Sequence, residues 1–467
     1  MSQIQDTATQ ARYAIARRAR DARFDGEFFI AVKTTGIYCR PICPATPPLE
    51  RNVHYYATAI SAAEAGFRPC LRCRPDSAPH SFAWLGTDTS FHRALGLIND
   101  GALQDGSVAD LAARLGVSDR YLRQLFNEKL GTSPKRYAIY QQCLFAKKLL
   151  HETSLPIIDI AFAAGFHSVR RFNEAMQAEL GLPPSKIRQP NSPRHAAVTL
   201  KVHYRPPYDW SALQHFLSLR AIDGLEVVSA SEYGRSFELG EARGYFKVRP
   251  QIEKHCFDVD IHVNDTRQLN KVVQQVRAML DADAPISVID QHLITQLSDA
   301  LSYQPGLRIP GIWSVFEAGV RAVLGQQVCV SAAHKLVTTL VHNLGAPAEF
   351  DGFSGQFYFP TPESVLKSDL AFLRMPGSRK TTLHALARYC IDADNPDDVD
   401  AWQSIKGIGP WTINYVKLRA CRNPDIWLAG DAGLRNALAS IDSSVDLDAA
   451  RPWRSYLTFQ LWHHLTN

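Results

Sequence analysis

The sequence of 467 residues has no run of eighteen consecutive apolar residues, so it predicts no transmembrane helix. It also has no low-complexity tract, and its Gly and Pro contents are ordinary for a globular chain. The first 26 residues lack the apolar stretch of a signal peptide, which favours a cytoplasmic location. The length exceeds what one hydrophobic core supports, so two to four domains are expected.

Charge is divided unevenly along the chain. Residues 1–190 carry 24 Lys and Arg against 17 Asp and Glu, whereas residues 191–467 carry 27 against 29. A basic first part favours a nucleic acid partner, although solvated surface charge produces the same excess.

Four of the nine cysteines form a C-x3-C and a C-x2-C pair in one short segment near the start: Cys39, Cys43, Cys70 and Cys73. In a reducing compartment this spacing predicts a zinc site, because thiolates suit the tetrahedral ion and two tight turns supply two ligands each. The alternative is reduced core cysteines at chance spacing. Prolines at 41, 44, 69 and 75 crowd the segment and disfavour that alternative.

The sequence around these cysteines, FFIAVKTTGIYCRPICP and then NVHYYATAISAAEAGFRPCLRCRPD, resembles the N-terminal domain of the Ada response proteins. That family repairs methylphosphotriesters in the DNA backbone. The resemblance implies that Cys39 accepts the methyl group and that all four cysteines bind one zinc ion. A zinc-bound thiolate is ready to attack, and its methylation removes one unit from a site charge of about −2. Weaker repulsion of DNA would make the transfer an electrostatic switch with a single turnover. The open alternative is a purely structural zinc site.

Two similar helical units follow. SVADLAARLGVSDRYLRQLFNEKLGTSPKRY (107–137) begins with a capping serine, turns at Gly116, and opens a second helix after Ser118. PIIDIAFAAGFHSVRRFNEAMQAELGLPPSKIRQ (156–189) repeats the scheme with a turn at Gly165. A plain helical bundle is the alternative, but two copies joined by a long helix favour DNA binding.

The paired units resemble the AraC-type DNA-binding domain. The resemblance implies recognition helices near residues 118–128 and 168–178, each entering a major groove. Candidate contacts with bases or phosphates are Arg120, Arg123, Arg170 and Arg171.

The segment SIKGIGPWTINYVKLRA (404–420) predicts a helix–hairpin–helix. Gly407 and Gly409 form the turn, and Pro410 suits the first turn of the second helix. Such a hairpin offers backbone N–H groups to a DNA phosphate without reading sequence. Twenty residues after Trp411, Asp431 precedes another helix, where an ordinary N-cap is the alternative to a functional carboxylate.

GIGPWTINY, GDAGLR and PWRSYLTFQLW, with FEAGVRAVLGQQVCVSAAHKL (316–336), resemble the AlkA-type 3-methyladenine DNA glycosylases. PPYDWSALQHFL and YGRSFELGEARGYFKV extend the resemblance over about 200–467. It implies that Asp431 is the catalytic carboxylate facing an oxocarbenium-like sugar, while the base flips into an aromatic pocket. A cationic alkylated purine would gain cation–π attraction there. The pocket residues are Trp411, Tyr415, Trp462 and Phe216, for which core packing is the alternative.

Some positions depart from patterns found among these glycosylases. Trp411 replaces the Schiff-base lysine of bifunctional relatives, which predicts base release without strand cleavage. Gln327 stands where an apolar residue fills the gap left by the flipped base, and Ala432 replaces an aromatic residue. No cysteine follows Cys421, so a terminal iron–sulfur cluster is excluded, and the five remaining cysteines are expected in the core. A monovalent cation held by hairpin carbonyls is compatible with the motif but has no sequence signal.

The predicted fold is multidomain and mainly α with α+β parts. Residues 1–80 form the Ada-like zinc domain, 86–190 the double helix-turn-helix domain, 198–282 an α+β domain, and 283–467 the helical glycosylase domain. The methylguanine-methyltransferase motif PCHR is absent, so the glycosylase replaces that domain. We expect a monomer that methylates itself, regulates transcription and excises alkylated purines. Its partners are alkylated and promoter DNA, with RNA polymerase an open candidate and no membrane. The alternative is a regulator whose glycosylase domain only binds damaged DNA.

Overall fold

The computed structural model describes residues 3–20, 24, 28–43, 45–57, 61–62, 65–70, 73, 90–91, 94–95, 97–98, 101–104, 106–188, 198–297, 303–350, 353, 356–441 and 445–465. The chain divides into two compact units, Met1–His151 with Pro156–Gln189, and Glu152–Leu155 with Pro190–Asn467. Most of the expected linker at 188–196 lies outside the described residues. Among those described, no helix is both long and apolar enough to cross a membrane. The boundaries of the four predicted domains stay a prediction.

The first part of unit one is a small α+β fold. Helix α1 buries Tyr13 against Phe28, with the two ring centroids 3.9 Å apart. The strands form one sheet in the order β3-β1-β2-β4, in which β2 and β4 run parallel. The elements are α1 (Thr7–Ala19), β1 (Phe29–Val32), β2 (Ile37–Cys39), β3 (Val53–Tyr56) and β4 (Arg68–Pro69).

The second part of unit one contains both predicted helix-turn-helix units. Each second helix begins where a serine hydroxyl accepts the backbone N–H three residues later, at Ser118 and at Ser168. A long shared helix connects the two units, as the repeat predicts. The helices are α2 (Val108–Arg114), α3 (Asp119–Leu130), α4 (Pro134–Glu152), α5 (Ile157–Ala163), α6 (Val169–Leu180) and α7 (Pro184–Ile187).

Unit two opens with an antiparallel five-stranded sheet in the order β5-β9-β8-β7-β6. In the edge strand β5, every second residue is apolar and buried, so one face of the strand is buried. The elements are β5 (Val198–His203), α8 (Trp210–Ser218), β6 (Glu226–Val228), β7 (Tyr233–Leu239), β8 (Ala242–Gln251), β9 (Cys256–Val263) and α9 (Leu269–Met279).

The rest of unit two is helical. Its core surrounds the fully buried Trp402, and a short 3-10 helix, Val399–Ser404, leads into the hairpin. The helices are α10 (Ile286–Leu297), α11 (Val315–Leu324), α12 (Val330–Leu344), α13 (Pro362–Lys367), α14 (Gly377–Asp392), α15 (Pro410–Arg419), α16 (Ala432–Ala439) and α17 (Arg454–His464). The predicted combination of helical and α+β modules is confirmed.

The expectation that every isolated cysteine lies in the core is wrong at two positions. Cys143 and Cys256 are buried and Cys390 is half-buried, but Cys329 and Cys421 are exposed. Cys329 is the N-cap of α12, and Cys421 follows the end of α15. Helix ends lie at the surface more readily than helix centres, so an apolar neighbourhood in sequence did not bury these two.

Candidate functional sites

The four clustered cysteines meet at one edge of the small sheet. Strands β2 and β4 run in parallel and end together, so Cys39 closes one strand while Cys70 follows the other. The Cys70 N–H donates to the Tyr38 carbonyl at 2.9 Å, which extends the pairing by one residue. Cys43 and Cys73 reach the same point from the following turns. All four sulfur atoms lie within 4.8 Å of one another.

This arrangement fits a single zinc ion. Tetrahedral coordination with Zn–S bonds of about 2.3 Å places ligand sulfurs about 3.8 Å apart. The Sγ atoms of Cys43 and Cys70 are 3.9 Å apart. The donor set is all sulfur, which excludes the hard cations Mg²⁺ and Ca²⁺ as natural occupants. The predicted zinc site is therefore confirmed in its residues and its single ion.

The four sulfurs are not equivalent. Cys70 and Cys73 are buried, whereas Cys39 and Cys43 are half-buried. The Arg40 backbone N–H also donates to the Cys73 sulfur at 3.3 Å. A donated hydrogen bond withdraws electron density from a thiolate, so Cys73 is the weaker nucleophile. Accessibility and hydrogen bonding leave Cys39 and Cys43 as the two sulfurs suited to attack.

The candidate DNA-contacting arginines fall into two groups. Arg123 pairs with Asp119 at 2.7 Å, and Arg170 pairs with Glu174 at 2.9 Å, each within its own exposed helix. Arg120 and Arg171 are exposed near the starts of α3 and α6 and make no ion pair with any described residue. Exposed intrahelical pairs are weak, so all four remain available to a phosphate.

Asp431 caps helix α16 and contacts two of the predicted pocket tryptophans. Its Oδ1 accepts the Leu434 backbone N–H at 3.0 Å and the Trp462 Nε1–H at 3.2 Å. Its Oδ2 accepts the Trp411 Nε1–H at 3.2 Å. The three donors lie on α15, α16 and α17, so they hold the carboxylate in one orientation. Asp431 is half-buried.

The remaining aromatic residues extend this contact network. Trp411 stacks on Tyr415, with the ring centroids 5.4 Å apart. Phe216 lies nearly parallel to Trp462, with centroids 6.1 Å apart. Phe216 and Trp462 also line a concave pocket together with Phe459. The structure thus brings all four predicted pocket aromatics and Asp431 into one connected group.

Two arginines that the sequence analysis did not single out complete the group. The Arg220 guanidinium lies 3.8 Å from the Phe216 ring centroid, and the Arg419 guanidinium lies 4.9 Å from it. Arg419 also donates to the Tyr415 hydroxyl at 3.1 Å. Each arginine follows its aromatic neighbour by four residues: Arg419 lies on the same face of α15 as Tyr415, and Arg220 lies in the turn after α8. That spacing was the available signal.

The hairpin turn depends on one glycine more than the other. Gly407 has φ +94°, and a Cβ there would lie 2.1 Å from the Thr382 hydroxyl oxygen. Gly409 has φ −106° and open space around it, and it serves as the N-cap of α15. The Lys406 carbonyl accepts from Thr382 Oγ1. The monovalent cation stays a prediction.

Gln327 stands in the turn between α11 and α12, exposed, with φ +56°. The side chain of the preceding residue, Gln326, donates to the Gly407 carbonyl at 2.9 Å and to the Thr412 hydroxyl at 3.1 Å. This pair of hydrogen bonds ties the Gln327 turn to the hairpin. Two surfaces expected at the DNA are therefore in direct contact.

Three family models match successive parts of the chain. The metal binding domain of Ada matches residues 12–76, a helix-turn-helix domain matches 111–190, and the AlkA N-terminal domain matches 199–314. The order of these matches confirms the predicted combination of an Ada-type zinc domain, a helix-turn-helix domain and an AlkA-type part.

Known relatives cover the chain in part or in full. DNA-3-methyladenine glycosylase 2 of Escherichia coli (strain K12) is 32% identical over 276 residues, or 56% of this chain and 96% of that enzyme. The bifunctional transcriptional activator/DNA repair enzyme Ada of the same strain is 34% identical over 40% of this chain and 49% of its own length. The probable bifunctional transcriptional activator/DNA repair enzyme AlkA of Mycobacterium tuberculosis (strain ATCC 25618 / H37Rv) is 34% identical over 96% of this chain and 95% of that protein. The chain therefore belongs to the family of bifunctional transcriptional activator/DNA repair enzymes of the AlkA type.

Proposed function

We propose that this protein responds to DNA alkylation in three ways: it accepts methyl groups from DNA methylphosphotriesters, regulates transcription, and excises alkylated purines. The observation that carries the excision activity is the Asp431 carboxylate held by Trp411 and Trp462, of which Trp462 lines a concave pocket with Phe216. The observation that carries methyl acceptance is the four-sulfur cluster, in which Cys39 is half-buried while Cys70 and Cys73 are buried.

In the transfer step, the Cys39 sulfur attacks the methyl carbon of a phosphotriester. The S–C bond forms as the C–O bond breaks, and the electron pair leaves on the phosphate oxygen to give an ordinary phosphodiester. Zinc, when bound, keeps the four sulfurs deprotonated. The product is a thioether, whose carbon has no good leaving group, so each molecule acts once.

In the excision step, the bond between C1′ and the base nitrogen breaks with both electrons going to the base. Asp431 faces the positive charge that develops on the sugar, and water then adds to C1′. Trp411 occupies the position of the Schiff-base lysine, and Lys406 is exposed on the other side of the turn. We therefore propose a monofunctional enzyme that leaves an intact abasic strand.

Release of free methylpurine from alkylated duplex DNA tests the glycosylase assignment. Wild type should release base, and Asp431→Asn should abolish release while retaining affinity for the same duplex. Strand breaks should appear only after alkali treatment. If wild type binds the alkylated duplex but releases no base, the protein is a regulator whose last domains only bind damaged DNA.

Mass spectrometry tests the acceptor assignment. After incubation with methylphosphotriester DNA, the peptide containing Cys39 should gain the mass of one CH₂ unit, and the peptides with Cys43, Cys70 and Cys73 should not. A Cys39→Ser variant should take up no methyl group. An unmodified Cys39, under conditions that modify another Ada-type protein, means that the zinc site is purely structural.

The helix-turn-helix domain implies that promoter DNA is the second nucleic acid partner. We propose that α3 and α6 each enter a major groove, and that a monomer suffices because one chain carries both units. If promoter binding activates transcription, we expect the protein to contact RNA polymerase. Footprinting before and after methyl transfer measures whether promoter affinity rises with the loss of negative charge at the zinc site.

A further inference from the structure

The contacts around Asp431 close into a ring of side chains. Trp411 and Trp462 both donate to the carboxylate, and each leads to another aromatic side chain, Tyr415 and Phe216. Arg419 joins these two ends, since it donates to the Tyr415 hydroxyl and lies over the Phe216 ring. One end of the ring carries a carboxylate and the other end carries guanidinium groups.

Both guanidinium groups at that end donate to neutral oxygen atoms. Arg220 donates to the Phe216 carbonyl and Arg419 to the Pro310 carbonyl, and among the described residues neither forms an ion pair with a carboxylate. Arg419 is 4% exposed. Burial and the nearby Arg419 lower the pKa of Arg220 to about 10, so it stays charged at neutral pH. Burial also lowers the pKa of Arg419.

Arg419 is buried and Arg220 half-buried, and a guanidinium held in such a place without an ion-pair partner is costly, which makes the pair a candidate functional group. Here Arg220 lines the pocket with Phe216 and Trp462, and Arg419 lies over the Phe216 ring. Breaking the glycosidic bond moves one electron pair from the sugar to the base, whatever charge the base had at first. A cation at the base end and an anion at the sugar end stabilise that movement together.

We propose that Arg220, supported by Arg419, stabilises the electron pair that departs with the excised base, and thereby extends excision to purines that carry no positive charge. This inference rests on the glycosylase function proposed above. Arg220 lines the pocket and would face the base directly, whereas Arg419 is a positioning residue that acts through Phe216 and Tyr415.

The charges balance differently for the two kinds of lesion. A neutral purine leaves as an anion and takes up the proton that water loses on adding to C1′. A cationic N7-alkylated purine leaves as a neutral base, and that proton passes to solvent. Arg220 attracts the first leaving group increasingly as negative charge develops on it during bond breaking. Arg220 repels the cationic purine in the bound state, and this repulsion weakens as the bond breaks.

Single-turnover kinetics on two duplexes tests the proposal. One duplex contains cationic 7-methylguanine and the other contains neutral hypoxanthine. Arg220→Gln should lower the maximal rate constant for both, by about a hundredfold for hypoxanthine. The enzyme concentration at half-maximal rate should fall only for 7-methylguanine. As a result, the ratio of maximal rate to half-saturating concentration falls for hypoxanthine and does not fall for 7-methylguanine.

Further variants separate charge from folding. Arg220→Met removes the charge with an apolar chain that is easier to bury, and it should match Arg220→Gln. Arg220→Lys keeps a positive charge and should retain much of the hypoxanthine activity. Arg249→Gln alters an arginine paired with Asp260 on the sheet, away from the pocket, and should leave both reactions unchanged. The unfolding temperature and the affinity for undamaged duplex are measured for every variant, and both should equal those of wild type.

A measurement on wild type needs no substitution. Free xanthine should inhibit base release more strongly as rising pH converts it to its anion. Inhibition that is independent of that ionisation, or variants that lower both ratios by the same factor, would overturn the proposal and leave Arg220 a structural support for Phe216. Failure of wild type to release hypoxanthine would overturn it as well. If wild type releases neither base, the glycosylase assignment itself is wrong.

Discussion

Asp431 accepts more hydrogen bonds than its structural task requires. As an N-cap it needs a single acceptor oxygen, which Oδ1 supplies to Leu434. The two indole N–H groups on the same carboxylate are not part of any cap. They fix its rotation, so that a surface aspartate becomes a rigid anion beside an aromatic surface. The ordinary N-cap interpretation accounts for one of the three hydrogen bonds only.

Removing one indole donor should therefore slow base release. Trp462→Phe keeps an aromatic ring against Phe216 but deletes the hydrogen bond to Oδ1. We expect the single-turnover rate to fall roughly tenfold, because a weakly held carboxylate is less well positioned for the charged sugar. Trp313→Phe serves as the control, since the Trp313 indole donates to the Glu238 carbonyl instead. Equal losses in both variants would contradict the role of this hydrogen bond.

At the scale of elements, local signals predicted the fold well. Capping serines, turn glycines and the C-x3-C and C-x2-C spacings act within a few residues, so they identify helices, hairpins and metal ligands from sequence. Contacts across long sequence separations were not visible. Arg235 and Glu317 pair at 2.8 Å although 82 positions separate them. The contact of Arg419 with the Phe216 ring is also long-range, although its spacing of four residues from Tyr415 was visible in the sequence.

The conformation of the hairpin turn depends on Gly407. Gly407→Ala should disrupt the turn, because the added Cβ meets Thr382 and the residue must keep a left-handed φ. We expect at least a tenfold loss of affinity for alkylated duplex, measured by fluorescence anisotropy. Gly377→Ala is the matched control: it lies at the start of α14 with open space around it. Unchanged affinity in Gly407→Ala would mean that the hairpin does not bind the phosphate.

At the scale of the molecule, a buried ion network joins the sheet of unit two to its helical part. Arg235 on β7 and Arg321 on α11 both contact Glu317, and Arg321 also contacts Glu226 on β6 at 2.8 Å. Buried networks of this kind fix one arrangement of the packed elements more than they add stability. Here they set the sheet and α8, which carries Phe216, against the helices that carry Asp431 and Trp411.

Acid should weaken this joint. Burial raises the pKa of Glu226, but Arg321 and Arg235 more than offset it and bring the pKa to about 2, below the ordinary 4.5. The ionised glutamate thus stabilises the fold above about pH 4.5, and this contribution is lost as pH falls towards 2. Glu226→Gln should lower the free energy of unfolding by roughly 3 kcal/mol at neutral pH. The difference from wild type should shrink in acid, and the exposed Glu253→Gln should show none.

The two chemical centres lie in different compact units, the sulfur cluster in the first and Asp431 in the second. Each is built from contacts within its own unit, so neither needs the other to keep its geometry. Cys39→Ser should therefore abolish methyl uptake and leave base release at the wild-type rate, while Asp431→Asn should do the reverse. Both assays are run on both variants of the full chain, on DNA that carries one type of lesion at a time. Loss of both activities in either variant would contradict this independence. It would mean that each unit needs the intact site of the other unit for its own reaction.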